Sequence, residues 1–354
     1  MSENLPRQFP AAATTGSALG SHGWPRSFPT LKKIAKTGLA VADQFCMALS
    51  PGLVAEGPSL IVVALHSLCA SKSQIDDPVL APNQNVSVED FRGLVEAMLE
   101  YGYTVVSPVE VDAGLRPGGK YAMVTFDDGY FNNVLALDVL EQYKVPATFF
   151  ISSSHVLDQK AFWWDALSRE LLKAGASLQV RDAETRKIKT LLPERIDEYL
   201  HLRFGQLAFR PQGDRDRPFT RTELAKFARH PLVHLGNHTA DHAILTLCSP
   251  PELARQIRSC QDALAQIAGY APISIAYPNG NHSPAVVEAA LSAGLRVGVT
   301  VQPRRNRLPL DSASKRMTLG RFYCRGGMNA RNEFLRCRAG LVPSNLVKTM
   351  LKGP

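Results

Sequence analysis

Two adjacent carboxylates, Asp127 and Asp128, and two imidazoles four residues apart, His238 and His242, are the side chains in this sequence best suited to chemistry. The acids close the run Tyr121-Ala122-Met123-Val124-Thr125-Phe126 and are followed by Gly129 and Tyr130. Six largely apolar, β-prone residues leading into Asp-Asp-Gly read as a buried strand that delivers both acids where the chain leaves the sheet. Neighbouring carboxylates repel unless their roles are separated, as when a metal holds one and the other keeps its basicity. Taken alone, the pair fits an ordinary strand-ending turn equally well, since Asp and Gly favour turns.

His230, His234, His238 and His242 recur every four residues, but Pro231 and Gly236 inside the run exclude a helical stripe. Leu232 to Gly236 reads instead as a strand. His234 is then a packing histidine and His230 belongs to a loop. His238 and His242 fall together beyond the strand end, where two imidazoles can face one cation. Two imidazoles plus one carboxylate make a borderline donor set suited to Zn²⁺, with positions left for water and substrate.

The elements that must position these groups alternate. Strands are expected at Leu60–Leu65 (ending at His66), 103–107, 121–126, 145–151, 232–236, 273–276 and 296–301, with a last one near 318–323. Helices are expected near 88–101, 132–143, 251–268 and 284–293. Between about 155 and 228 the pattern turns charged and weakly periodic after Phe162-Trp163-Trp164-Asp165, which reads as a helical insertion. Strand–helix alternation implies a parallel sheet with helical crossovers, and seven or eight units suggest a barrel. His66, the Asp127–Asp128 pair, the His238–His242 pair and Tyr277 all follow the C-terminal ends of strands, the rim where such barrels assemble chemistry.

The 354 residues carry a net charge of +8. No basic, aromatic-interleaved stripe accompanies that charge, so no nucleic-acid partner is expected. Six cysteines are scattered without zinc-finger spacing and read as free thiols of a reducing compartment. Residues 1–56 read as an extension, disordered to about 30, with one amphipathic helix near 31–50 that is too short and polar to span a bilayer. With a basic helix at 343–352, that segment suits peripheral contact with an anionic membrane. The expected location is cytoplasmic, at the inner face of the membrane, and residues 57–354 form the expected catalytic domain.

Thr125-Phe126-Asp127-Asp128-Gly129-Tyr130 together with His238-Thr239-Ala240-Asp241-His242 resembles the paired motifs of the polysaccharide deacetylases (carbohydrate esterase family four, NodB-homology domain). Pro146-Ala147-Thr148-Phe149-Phe150, the Phe162–Asp165 segment found in exopolysaccharide-type members, and Ala276-Tyr277-Pro278-Asn279-Gly280 extend the resemblance over roughly residues 58 to 325. It implies an α/β fold, a distorted (β/α) barrel of about seven strands, and metal-dependent hydrolysis of N-acetyl groups on an amino-sugar polymer or oligomer. By the same resemblance Asp128, His238 and His242 would hold a divalent metal, most readily Zn²⁺. Asp127 would be the base, and Tyr277 would stand where a backbone N–H holds the oxyanion. Two departures stand out. No arginine stands shortly before Tyr277, where Ile273-Ser274-Ile275-Ala276 supplies none, and no histidine follows His282 to act as general acid. His66 in Ala64-Leu65-His66-Ser67 resembles the early histidine of the biofilm-polysaccharide branch and is assigned as the acid; Arg321 is the candidate for the missing arginine.

Two rival readings differ in class. A glycoside hydrolase needs two separated carboxylates, whereas these are adjacent and accompanied by histidines. A glycan-binding protein without turnover would keep the fold and lose the two departed residues' functions. Trp163 and Trp164 fit sugar stacking or plain packing.

Overall fold

The computed structural model describes residues 57–75, 85–324, 326–327 and 329–339; the expected extension at 1–56, its helix and the basic helix at 343–352 lie outside the described residues. Eleven strands are described: β1 (Ser59–Leu65), β2 (Ser67–Cys69), β3 (Asn85–Ser87), β4 (Thr104–Val105), β5 (Lys120–Phe126), β6 (Ala147–Ile151), β7 (Val233–Asn237), β8 (Ser274–Ala276), β9 (Val297–Val299), β10 (Asn306–Arg307) and β11 (Phe322–Tyr323). The main sheet runs β10-β1-β5-β6-β7-β8-β9, with β4 added to β5 and β11 added to β1. Every pairing is parallel except β1 with β10.

The continuous apolar run of β1 is buried on both faces, as a parallel sheet requires. Alternate residues separate into two cores. Ile61, Val63 and Leu65 join the helix Val88–Glu100 through Phe91, Leu94 and Val95, whereas Leu60 and Val62 meet Met123, Phe150, Ala276, Val297 and Val299. The second set draws on β1, β5, β6, β8 and β9 at once, so it fills the interior of a curled sheet. Closure comes from one segment: Leu319 bridges Val299 of β9, and Phe322, three residues on, pairs with Val63 of β1. The expected distorted (β/α) barrel is the fold observed.

Register aligns the chemistry. β1 and β5 pair without slip from Ser59↔Lys120 to Leu65↔Phe126, which brings His66 level with Asp127. The Asp127 amide donates to the Leu65 carbonyl at 2.9 Å. The single helix expected at 132–143 is instead a 3-10 turn (Phe131–Ala136) followed by a helix (Leu137–Tyr143). Its asparagines bond elsewhere, as short amide side chains tend to do. Asn132 accepts from the Leu68 amide at 2.9 Å, and Asn133 donates to the His66 carbonyl at 2.7 Å. The turn thus braces the loop that carries His66.

Between β6 and β7 lie five helices: Ser153–Asp158, Trp163–Lys173, Leu178–Ile188, Pro193–Phe204 and Arg221–Phe227. Three of them share a small core of Ala166, Leu167, Leu171, Ile188, Ile196 and Leu200, separate from the barrel's. Among the described residues no helix is long and apolar enough to cross a membrane.

Candidate active site

A cavity of about 840 Å³ opens at the C-terminal ends of the strands. His66, Asp127, Asp128, His238, His242 and Arg321 line it together. Six residues from three strand ends, those of β1, β5 and β7, and from the segment leading into β11 therefore converge.

Asp128 lies at the turn after β5, with φ 77°. That left-handed backbone is uncommon outside glycine but is tolerated by Asp, and it swings the carboxylate away from its neighbour. Gly129 follows at φ 94°, and a Cβ there would stand 3.1 Å from the Ile151 side chain, so only glycine leaves the turn unstrained. The His238–His242 loop is bent the same way, at Thr239 (φ 65°) and His242 (φ 55°). For a β-branched residue that conformation is strained, and such strain gathers at functional sites. The loop is tied down by the Thr239 amide on Asn237 Oδ1 (2.9 Å) and the Ala243 amide on Thr239 Oγ1 (3.0 Å).

The three ligand-type side chains meet. Nε2 of His238 lies 3.5 Å from Asp128 Oδ1, and Nε2 of His242 lies 3.4 Å from the same oxygen. One ligand atom from each falls within 4.8 Å of the others. His238 Nδ1 is 2.7 Å from the Ala276 carbonyl, so it carries the proton, donates, and leaves Nε2 free for a cation. His242 is set by packing: Trp164 stands against it at 4.7 Å and 64°, and His238 at 4.8 Å and 78°. Both oxygens of Asp128 are buried without a hydrogen-bond donor. The imidazole contacts at 3.4–3.5 Å are too long for charge-assisted hydrogen bonds, which close to under 3 Å. A buried carboxylate left so is costly, and a cation between it and two neutral imidazoles removes the cost. The donor set fits a divalent metal.

Charge is distributed to match. Burial pushes the Asp127 carboxyl up, but the Arg321 guanidinium, helped by His238, overrides this and holds it well below the usual carboxylate range. Arg321 grips both Asp127 oxygens, at 2.6 and 2.7 Å, while its Nε donates to the Thr300 carbonyl at 2.8 Å. For Asp128 burial again acts upward, and His66, His238 and His242 together leave it lowered. Burial takes His242 down to about 3, with His238 adding to the effect, so its imidazole is neutral at pH 7. His66 is also lowered, by burial, against the pull of Asp128 and Asp127. Its Nδ1 is buried without a partner, and Tyr323 packs edge-on at 5.1 Å.

Tyr277 requires a correction. The β8 ladder runs one residue past Ala276, so the Tyr277 amide donates to the Val299 carbonyl at 3.2 Å, and its hydroxyl donates to the Met317 carbonyl at 3.0 Å. The residue is fully buried in a core with Leu245, Ile257 and Ile275 and does not line the cavity. Asn279, two residues on and with φ 58°, does.

A family model described as polysaccharide deacetylase matches residues 114–298, just over half of the chain and the part that holds Asp127, Asp128, His238 and His242. The chain belongs to the polysaccharide deacetylase family. Against YxkH of Bacillus subtilis (strain 168), it is 21% identical over 223 residues, 62% of this chain and 59% of the relative, so the match spans less than two thirds of that protein's length. Among solved structures, the Streptococcus pyogenes deacetylase PplD in complex with acetate superposes with a TM-score of 0.53 at 17% identity, covering 79% of this chain and 99% of that one. IcaB from Ammonifex degensii gives 0.53 at 17%, covering 80% and 99%. At those identities the likeness is one of fold.

Sequence reasoning left Trp164 open between sugar stacking and packing and passed over His155 in this deacetylase-family chain. Trp164 braces His242 and is itself held by its Nε1 on the Tyr130 hydroxyl (2.8 Å), which donates to Asp165 Oδ2 (2.5 Å). His155 stacks on Phe162 at 4.4 Å, and its Nδ1 is 2.9 Å from the Lys160 carbonyl. The signal for both was the Phe162-Trp163-Trp164-Asp165 run: two of its polar handles need buried partners.

Proposed function

We propose that this chain removes N-acetyl groups from amino-sugar units of a polysaccharide or oligosaccharide, releasing acetate, with a divalent metal held by Asp128, His238 and His242. The observation that carries the reading is the contrast between two neighbouring buried acids. Asp127 is neutralised by a bidentate arginine, while both oxygens of Asp128 accept no hydrogen bond and face two imidazoles. One carboxylate is thereby reserved for a proton and the other for a cation.

Zn²⁺ bound there would supply a Lewis acid that polarises an acetyl carbonyl and acidifies water. Asp127 accepts the proton of the attacking water. Arg321 uses one lone pair on each of its oxygens and leaves the others open. The guanidinium keeps this acid ionised across the working range and fixes its orientation, at some cost in driving force for proton uptake. His66 faces both acids across the β1–β5 register and, in its protonated form, gives its own proton to the departing amine, which leaves poorly as an anion, while Asp127 keeps the proton taken from water. Arg321 takes the place of the arginine absent before Tyr277. This favours turnover over the glycan-binding alternative, since the base is charged and oriented.

The test is acetate release from N-acetylglucosamine oligomers by zinc-loaded protein, with and without chelator. Release that chelator abolishes and zinc restores is expected. Binding of the same oligomers with no acetate released under any metal would establish the glycan-binding reading instead.

A further inference from the structure

His238 and His242 belong to a loop whose backbone is held in a costly shape, with Thr239 and His242 both at positive φ. Such a shape persists only where neighbours fix it. On one side the helix Ser153–Asp158 supplies donors: the Ser153 amide donates to the Thr239 carbonyl at 3.3 Å, and the Ser154 amide to the Ala240 carbonyl at 2.9 Å. The loop's own amides find their acceptors elsewhere, on the helix Pro250–Ala268.

That helix provides them from side chains its packing does not call for. Leu253, Ile257, Cys260, Leu264 and Ile267 already give it an apolar buried face. Gln256 and Gln261 are buried beside them, at 0% and 7% exposed. A buried amide costs free energy unless its donors and acceptors are met. Those of Gln256 are met mostly by the segment between the two imidazoles. Its main-chain carbonyl accepts from the Ala240 amide (2.9 Å), and its Oε1 accepts from the Asp241 amide (3.0 Å). Its Nε2 donates to Asp241 Oδ2 (2.7 Å) and to Glu252 Oε1 (2.9 Å). Gln261 acts one step back: its Oε1 accepts from Asn237 Nδ2 at 3.1 Å, and Asn237 Oδ1 in turn accepts from the Thr239 amide at 2.9 Å. A leucine at position 256 would suit the apolar face but leave the Asp241 amide without this acceptor.

We infer that Gln256 is a positioning residue of the metal site: by fixing Ala240 and Asp241 it sets how His238 and His242 face each other, so that the loop is bent into its binding shape before a cation arrives. The inference rests on the reading of Asp128, His238 and His242 as a metal site and adds where the affinity of that site is set. A loop already bent has little backbone freedom left to lose when the cation binds, which is how preorganisation strengthens binding.

The experiment measures zinc affinity by competition with a chromophoric chelator, beside the melting temperature of the zinc-free protein. It compares wild type, Gln256→Leu, Gln256→Glu and the double variant Gln256→Glu with Asp241→Asn. Gln256→Leu should weaken zinc binding roughly tenfold or more, the range for losing an outer group that orients metal ligands. Gln256→Glu keeps an acceptor for the Asp241 amide but sets a carboxylate against those of Asp241 and Glu252, and should weaken zinc binding as well. The double variant reverses donor and acceptor in the side-chain bond and should regain most of the lost affinity. A residue that merely fills the core would lower the melting temperature and leave the zinc affinity of the folded protein untouched. That result overturns the inference, and so does a double variant that regains nothing. Should Gln256→Leu fail to fold, the two variants that keep a polar side chain at position 256 decide the matter by the same comparison. Zinc bound by the wild type and weakened in the variants supports the inference whether or not acetate is released, whereas a wild type that binds no zinc refutes the metal reading and the inference with it.

Discussion

Replacing Arg321 by methionine should convert the Asp127 carboxylate from an asset into a liability, with a distinctive dependence on pH. In the wild type Arg321 is 1% exposed and Asp127 4%, and the two share a bidentate pair at 2.6 and 2.7 Å. Removing one partner of a buried pair costs about 3–5 kcal/mol, because the remaining charge is left uncompensated. Here His238 and His66 also face Asp127, so the lower end, about 3 kcal/mol at pH 7, is expected. The sign with pH follows from the direction of the shift. The wild-type Asp127 carboxyl is depressed below 3.8, so its contribution is present above that value and is lost as pH falls through the folded-state pKa. Without Arg321, burial dominates and raises the carboxyl above its unfolded value. The variant is then penalised at neutral pH and recovers relative to wild type on acidification. Urea unfolding at pH 7 and pH 5 measures both effects, and Arg321→Met combined with Asp127→Asn should regain most of the loss, since no orphaned charge remains. Should the single variant match wild type at pH 7, or should the loss be the same at pH 5 with no rescue by Asp127→Asn, the assignment of Arg321 as the counter-ion of Asp127 is refuted.

Other expectations are simpler. Asp127→Asn should retain zinc yet lose acetate release by roughly 10²-fold or more, the scale of a missing general base, whereas Asp128→Asn should fail to retain zinc in a metal analysis after dialysis. His66→Gln should lower kcat by roughly 10²-fold with zinc content unchanged; full activity would remove it from the proton path. Trp164→Leu should weaken zinc binding by roughly 10-fold in chelator competition, the usual effect of losing a group that orients a ligand, while Trp163→Leu should not.

Much of the site could be read from the sequence because its parts are local. A strand that ends in Asp-Asp-Gly, and a strand that ends before His-x-x-x-His, each place their groups within a few residues, and β-sheet register does the rest. Parallel strands put their C-terminal ends on one rim, so His66, Asp127 and His238 meet without any long-range guess. What escaped was tertiary. From the sequence the Tyr277 amide reads as a free donor, because nothing in Ala276-Tyr277-Pro278 says that the ladder with β9 continues one residue further. Trp164 acts on His242 across 78 positions, through a stack that also needs Phe162 and Tyr130. The same distance problem hid the turn at 131–136, where two asparagines bond to residues more than 60 positions away.

Asp127 and Arg321 stand 194 positions apart, and the segment that carries the arginine is also the one that joins β9 to β1. During synthesis, then, the acid emerges long before its counter-ion exists. Until residue 321 is made, Asp127 lacks the guanidinium that grips both of its oxygens. The base is thus oriented only once the segment that closes the sheet has been made.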